Sequence, residues 1–211
     1  MRLLSEYDLF IFDWDHTLTT STLAVGLLGM ARAHSKKARA EKLRNMSSAD
    51  FSAKNVEVKE EVSRIYSFFD DVYSFVFCPR LKRDAVPLLE FLKKRKKKVA
   101  IFSDSKAYRL LKEMRVLGVA DYVDFALAAE SIGRYKPDPT GLLVVMGRFR
   151  ARRKRSIYIG DMAGDMLTAR LAGIASVGVA DGIASADELR AEKPIRVFPH
   201  LGALLREMES A

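Results

Sequence analysis

The clearest hydrophobic block near the start of the chain is Leu9-Phe10-Ile11-Phe12, and it stops at two carboxylates, Asp13 and Asp15, spaced i, i+2. A short apolar run without polar alternation predicts a strand buried on both faces. From Arg83 onward such runs alternate with amphipathic stretches. Ala85 to Lys97 carries Val86, Leu88, Leu89 and Leu92 at helical spacing, and Val99-Ala100-Ile101-Phe102 follows as a second buried strand that ends in Ser103. Leu110 to Leu117 predicts a helix stopped by Gly118, Val123 to Ala128 a weaker strand, and residues 140–149 another helix. Ser156-Ile157-Tyr158-Ile159 predicts a strand closing at Gly160-Asp161, followed by a helix from Met166 to Ala172 and a strand at Val177-Gly178-Val179. Arg196-Val197-Phe198 reads as an edge strand before a terminal helix. Repeated strand–helix order with short connections predicts an α/β fold built on a doubly wound parallel sheet.

Between residues 19 and 79 the pattern differs. Ser21 to Ala31 is helix-like despite two glycines, Lys36 to Lys42 reads as a solvated helical face, and Glu60 to Val76 carries Val62, Ile65, Tyr66, Phe69, Val72, Tyr73 and Val76 at helical spacing. This predicts a small all-helical unit, residues 19–79, inserted after the first strand of a core made from residues 1–18 and 80–211. The aromatic side of its last helix is a candidate homodimer surface, so monomer and homodimer both stay open.

Composition narrows the class. The chain has 211 residues, 49% hydrophobic and 30% charged, which fits a globular domain with a real core. A single cysteine, Cys78, excludes an internal disulfide and a multi-cysteine metal site; its apolar setting predicts a packed thiol. No apolar stretch reaches the ~18–20 residues of a membrane span, and the amino terminus lacks a signal-peptide pattern, so a cytoplasmic protein is expected.

The candidate chemistry sits at the ends of the predicted strands. Asp13 and Asp15, Ser103, Lys136, and Asp161 with Asp165 each lie at or just beyond the carboxyl end of a strand, which is where ligands bind in open parallel sheets. A D-x-D pair alone can equally end a strand and cap the next helix. Together, however, the set supplies acids for a divalent cation, a hydroxyl with backbone amides behind it, and a fixed cation. Phosphoryl transfer needs this combination, because its demands are positioning and charge neutralisation.

Four stretches in order, Asp13-x-Asp15-x-Thr17, Ser103, Lys136-Pro137-Asp138-Pro139 and Gly160-Asp161-x-x-x-Asp165, resemble the motifs of the haloacid dehalogenase-like hydrolase superfamily. The tail Ala169-Arg170-Leu171-Ala172-Gly173-Ile174 and Val177-Gly178-Val179-Ala180-Asp181-Gly182 is most similar to its phosphoglycolate phosphatase-like branch. The resemblance implies a Rossmann-like core with a helical cap and an Mg²⁺-dependent phosphatase acting on a small phosphorylated substrate. It implies that Asp13 is the nucleophile and Asp15 the general acid and then base. Ser103 and the following amide would hold the phosphate, and Lys136 would pair with nucleophile and phosphate. Asp13, the main-chain carbonyl of Asp15 and Asp161 would bind Mg²⁺, with Asp165 completing or orienting that shell. An acid at Asp15 further implies a phosphate ester or anhydride, since an alkyl halide needs no proton on its leaving group.

Neighbouring residues receive plainer readings. Trp14 is expected to pack beneath the loop, and His16 stands where relatives often have Gly, with no catalytic role expected. Asp104 puts a further negative charge beside the phosphate pocket, and its side chain is expected to turn away. His34 and His200 read as surface residues, and Arg44, Lys54 and Lys59 as solvated charges or substrate contacts.

The net charge of +9 and a pI near 9.6 draw attention to two basic runs, Lys93 to Lys98 and Arg148 to Arg155. Each follows a predicted helix and precedes a core strand, so in a parallel sheet both fall on the edge opposite Asp13. Cations at helix carboxyl ends complement the helix dipole. A polyanion-binding surface is the alternative, so nucleic acid is a possible but not favoured partner. A sugar-phosphate mutase of the same superfamily and a weakly active polyanion-binding protein are the rival functions.

Overall fold

The computed structural model describes residues 3–20 and 79–210. The chain divides into two compact units, Met1–Ser21 with Pro79–Ala211, and Thr22–Cys78. The expectations for His34, Arg44, Lys54, Lys59, Cys78 and the aromatic helix at 61–77 lie outside the described residues.

Six parallel strands form the sheet: β1 (Leu9–Phe12), β4 (Lys98–Ser103), β5 (Phe125–Ala128), β6 (Ser156–Gly160), β7 (Ala175–Val179) and β8 (Arg196–Phe198), in the order β5-β4-β1-β6-β7-β8. A two-residue antiparallel pair, β2 (Thr19–Thr20) with β3 (Arg80–Leu81), joins the chain on either side of residues 21–79. The helices among the described residues are α1 (Leu3–Glu6), α2 (Ala85–Lys94), α3 (Ala107–Val116), α4 (Ala129–Ile132), α5 (Thr140–Phe149), α6 (Ala163–Ala172), α7 (Ala186–Ala191) and α8 (Leu201–Glu209).

Strand β1 explains why the sheet is buried on both sides. Its residues alternate, with Phe10 and Phe12 entering one core and Leu9 and Ile11 the other. Helices α2, α3 and α8 close the first core with Leu88, Leu92, Leu110, Met114 and Leu204. Helices α5 and α6 close the second with Leu142, Val145, Met146, Ala169 and Ala172. The apolar runs that lack polar alternation are thus the strands with helices on both faces.

The winding decides where a site can form. From β1 the chain steps outward through β4 to β5, then returns to the far side of β1 as β6 and continues through β7 to β8. The direction of winding reverses between β1 and β6, and a crevice opens beyond the carboxyl ends of strands that diverge this way. Both strands release their acids there. Asp13 follows β1, with its N–H still donating to the Ile159 carbonyl at 2.9 Å, and Asp161 follows β6.

Candidate active site

Lys136 is the centre of the polar cluster. Its Nζ donates to Oδ1 of Asp13 at 2.6 Å, to Oδ1 of Asp165 at 2.7 Å and to the Tyr158 hydroxyl at 3.1 Å. All four residues are buried. The loop that delivers Lys136 is fixed from the neighbouring strand end, because its backbone N–H donates to the Asp104 carboxylate at 3.0 Å. Asp104 therefore holds the backbone of the lysine loop. Tyr158 ties the cluster to the sheet through a hydroxyl that donates to the Phe102 carbonyl at 3.1 Å.

The electrostatics follow from this enclosure. Burial disfavours charge on Lys136, but the carboxylates of Asp13 and Asp165 override it and hold the ammonium well above the usual lysine range. Burial pushes the Asp13 carboxyl well up; Lys136 opposes this, while the negative charges of Asp165 and Asp161 add to it. Burial first, then Asp165, raises Asp161 as well, against hydrogen bonds from Ile183 and Thr17. Three buried acids stand around one ammonium, which bonds two of them, Asp13 and Asp165. The cluster is short of positive charge.

Asp13, Asp161 and Asp165 each place a carboxylate oxygen within 4.8 Å of the others. Three buried, hard oxygen donors with an unbalanced negative charge fit a divalent cation of the Mg²⁺ type, which takes one or two carboxylates and keeps its waters. Asp161 is held from both sides. Thr17 donates its hydroxyl to Oδ1 at 2.9 Å, and the Ile183 N–H donates to Oδ2 at 2.8 Å. Gly182 permits that approach, since a Cβ there would stand 2.2 Å from Oδ2. Asp165 is likewise fixed, its Oδ2 accepting the Met162 N–H at 2.9 Å.

Two predicted site residues stand apart from this cluster. The Asp15 carboxylate pairs with Arg109 and does not join the acid trio. The Ser103 hydroxyl, at the end of β4, lies 2.8 Å from the Ser105 hydroxyl and accepts the Ser105 N–H at 3.1 Å. Trp14 is fully buried as expected, and its indole N–H donates to Glu113 at 2.7 Å. His16 has φ +61°, a left-handed conformation in which glycine is unstrained.

Sequence reading missed Tyr158, Arg109, Glu113 and Ser105. Arg109 and Glu113 carried a faint signal, an i, i+4 pair of opposite charge on the first helix after Ser103. Tyr158 could be marked only as a hydroxyl-bearing aromatic in a buried strand. Lys82 was passed over too. It pairs with Asp181 at 2.5 Å, bracing the loop that supplies Ile183.

Comparison with known proteins gives the family and supports the fold. Residues 10–179 match the family model described as haloacid dehalogenase-like hydrolase. The chain belongs to this family. It is 33% identical over 94 residues to the protein named probable phosphatase IndB from Dickeya dadantii, covering 44% of this chain and 39% of that one. It is 24% identical over 152 residues to a phosphoglycolate phosphatase from Haemophilus influenzae, covering 71% and 68%. Across the first four curated relatives the match spans 34% to 58% of their length. Among solved structures, a protein assigned as a haloacid dehalogenase-like hydrolase from Bacteroides fragilis superposes with a TM-score of 0.72 at 26% identity, covering 94% of this chain and all of that one. A hydrolase from Pseudomonas syringae gives 0.72 at 22% identity, with 95% and 97% covered, and supports the fold.

The basic runs lie at the other end of this haloacid dehalogenase-like core. Leu9 pairs in register with both Lys98 and Ser156, so the runs that precede β4 and β6 flank the amino end of β1. Acids there neutralise part of the charge. Asp8 takes Arg155 at 2.7 Å and Lys97 at 3.5 Å, and Asp124 takes Lys93 at 2.9 Å and Lys98 at 3.5 Å. Arg95, Lys96, Arg152 and Lys154 are exposed and make no ion pair among the described residues. No helix among the described residues is long and apolar enough to cross a membrane.

Proposed function

We propose that this chain is an Mg²⁺-dependent phosphatase that hydrolyses a small phosphorylated metabolite, of the phosphoglycolate class, through an aspartyl-phosphate. The observation that carries this reading is the buried Lys136 ammonium held between Asp13 and Asp165, with Asp161 close enough to share a cation with both. A buried cluster of three acids around one ammonium is suited to receive a divalent metal together with a phosphate group. Curated relatives named as phosphatases support the reaction class.

Asp13, Asp161 and Asp165, with the main-chain carbonyl of Asp15, would hold the cation, which supplies charge neutralisation for the approaching phosphate. Without such help, one phosphate charge ~4 Å from Asp13 meets roughly 4 kcal/mol of repulsion at an effective dielectric of ~20. Lys136 keeps Asp13 oriented and offsets the remaining charge. An oxygen of Asp13 attacks phosphorus; the P–O bond to the leaving group breaks, and Asp15 gives that oxygen a proton. Ser103 and the following backbone amide hold the transferring phosphoryl oxygens. Asp15, now a carboxylate, takes a proton from water as its oxygen attacks phosphorus, releasing phosphate and restoring Asp13.

The test is phosphate release, with and without Mg²⁺, over phosphoglycolate, pyrophosphate, phosphoserine, sugar phosphates, nucleotides and an aryl phosphate. Metal-dependent release that is lost in Asp13→Asn supports the reading. Release that survives Asp13→Asn contradicts it, and hexose-phosphate isomerisation without release would point to a mutase.

A further inference from the structure

Asp15 and Trp14 leave the same loop in different directions and meet again through helix α3. The Asp15 carboxylate pairs with the Arg109 guanidinium. Arg109 Nε donates to Oε1 of Glu113 at 2.9 Å, one helical turn on. The other carboxylate oxygen, Oε2 of Glu113, accepts the Trp14 indole N–H at 2.7 Å. The path returns to the residue next to Asp15, so four side chains and one peptide bond close a ring. A bond from the Thr19 hydroxyl to the Trp14 carbonyl, at 3.1 Å, ties the loop down on its other side.

The setting is unusual for a charged pair. The side chains of Arg109 and Glu113 are 4% and 3% exposed, whereas that of Asp15 is 32% exposed. A buried guanidinium and carboxylate are costly to desolvate, and an apolar pair of the same volume would pack as well or better. The ring therefore adds little to stability for its cost. What it provides is direction. The planar guanidinium donates along fixed lines to two carboxylates, one of them the partly exposed carboxylate of Asp15.

We propose that Arg109, braced by Glu113 and Trp14, is the positioning residue for Asp15, fixing the carboxyl group that protonates the leaving oxygen. The proposal rests on the phosphatase reading and deepens it. Arg109 touches Asp15 and not the acid trio, so its loss should spare phosphate binding and nucleophilic attack by Asp13. It should weaken only the delivery of the proton. A displacement of about 1 Å in a catalytic group costs on the order of 100-fold in rate.

That assignment has a signature that depends on the leaving group. The ratio kcat/KM reports events up to release of the first product, which here is formation of the aspartyl-phosphate. An aryl oxide leaves without a proton; an alkoxide does not. Arg109→Ala is expected to lower kcat/KM for an alkyl phosphate such as phosphoglycolate by about 100-fold. For p-nitrophenyl phosphate the expected change is less than about threefold, with Arg109→Lys recovering part of the alkyl loss. Glu113→Gln should show the same selectivity in weaker form.

The control is Asp15→Asn, whose kcat/KM should fall by roughly 10²–10⁴ on the alkyl ester and little on the aryl one, while its kcat falls on both because Asp15 also activates the hydrolytic water. Folding is checked by circular dichroism and by emission of Trp14, the single tryptophan in the chain. If Asp15→Asn is selective and a folded Arg109→Ala or Glu113→Gln loses both substrates equally, or neither, the positioning role is wrong and the phosphatase reading stands. If Asp15→Asn shows no selectivity, or the wild type releases no phosphate, the reading beneath the proposal fails.

Discussion

The Thr17 hydroxyl donates to the carboxylate of Asp161 at 2.9 Å, although the two residues are 144 positions apart. The bond joins the loop after β1 to the loop after β6, across the reversal of the sheet. It also spends one lone pair of a candidate metal ligand and so fixes which oxygens face the crevice. Partners of this kind are worth about 10–100-fold in metal affinity or activity. Thr17→Val should therefore raise the Mg²⁺ concentration for half-maximal phosphate release by about 10-fold or more. The Mg²⁺ titration of initial rates checks this, and an unchanged midpoint would remove Thr17 from metal binding.

Lys136 carries a double load, bridging Asp13 and Asp165 in a buried setting. Breaking a buried ion pair by removing one partner typically costs about 3–5 kcal/mol. Lys136→Met is expected to lower stability by roughly 3 kcal/mol in urea unfolding and to cut kcat by about 10²-fold or more. Mg²⁺ should recover part of the stability, because it supplies positive charge to the same acids. Comparing unfolding midpoints with and without the metal checks that.

The amino edge of the sheet should be silent in catalysis. Arg95, Lys96, Arg152 and Lys154 are exposed, precede β4 and β6, and lie across the sheet from Asp13. Changing all four to Gln should leave kcat/KM within about twofold, as expected for distant surface sites. It should reduce retention on a heparin column, since these side chains belong to the part of the basic runs that makes no ion pair among the described residues. A large fall in kcat/KM would show that the edge communicates with the site.

That same edge sets a pH dependence of stability. Hydrogen bonds and charge from Arg155, with Lys97, hold Asp8 below its ordinary value of 3.8. For Asp124, burial pushes upward, and the Val99 N–H and Lys93 outweigh it, so the folded value is again lowered. A carboxyl group with a lowered folded pKa stabilises the fold above the unfolded value and loses that contribution as pH falls through the folded one. The double variant Asp8→Asn, Asp124→Asn should be less stable than wild type at pH 7. Its deficit should shrink as pH falls below 3.8 and through the lowered folded values, where both acids take up protons. Urea midpoints at the two pH values give the comparison; an equal deficit at both would contradict it.

The sheet was legible because its strands are buried on both faces. Runs such as Leu9–Phe12 and Val99–Phe102 have no polar alternation, and the helices between them carry regular apolar spacing. The acids Asp13, Asp161 and Asp165 and the base Lys136 were legible because strand ends in a parallel sheet share one edge. Asp15 was legible as an acid just beyond a strand end, but its partner Arg109 was not. Arg109 and Glu113 lie on a helix whose i, i+4 charges look like any solvated pair. Only the packing of α3 over the β1 loop turns them inward to Trp14. Tyr158 was hidden for the opposite reason: strand periodicity assigns it to the core, and its hydroxyl matters only because Lys136 enters from another loop. The short pair β2–β3 escaped notice because two residues per strand leave no periodicity to read.

The most direct measurement is rapid acid quench during turnover of an aryl phosphate with Mg²⁺, followed by mass spectrometry of the digested protein. A phosphoryl group on the peptide that contains Asp13, absent in Asp13→Asn, is the expected result. Steady phosphate release with no adduct at Asp13, from an enzyme whose first step is faster than its second, would contradict catalysis through this residue.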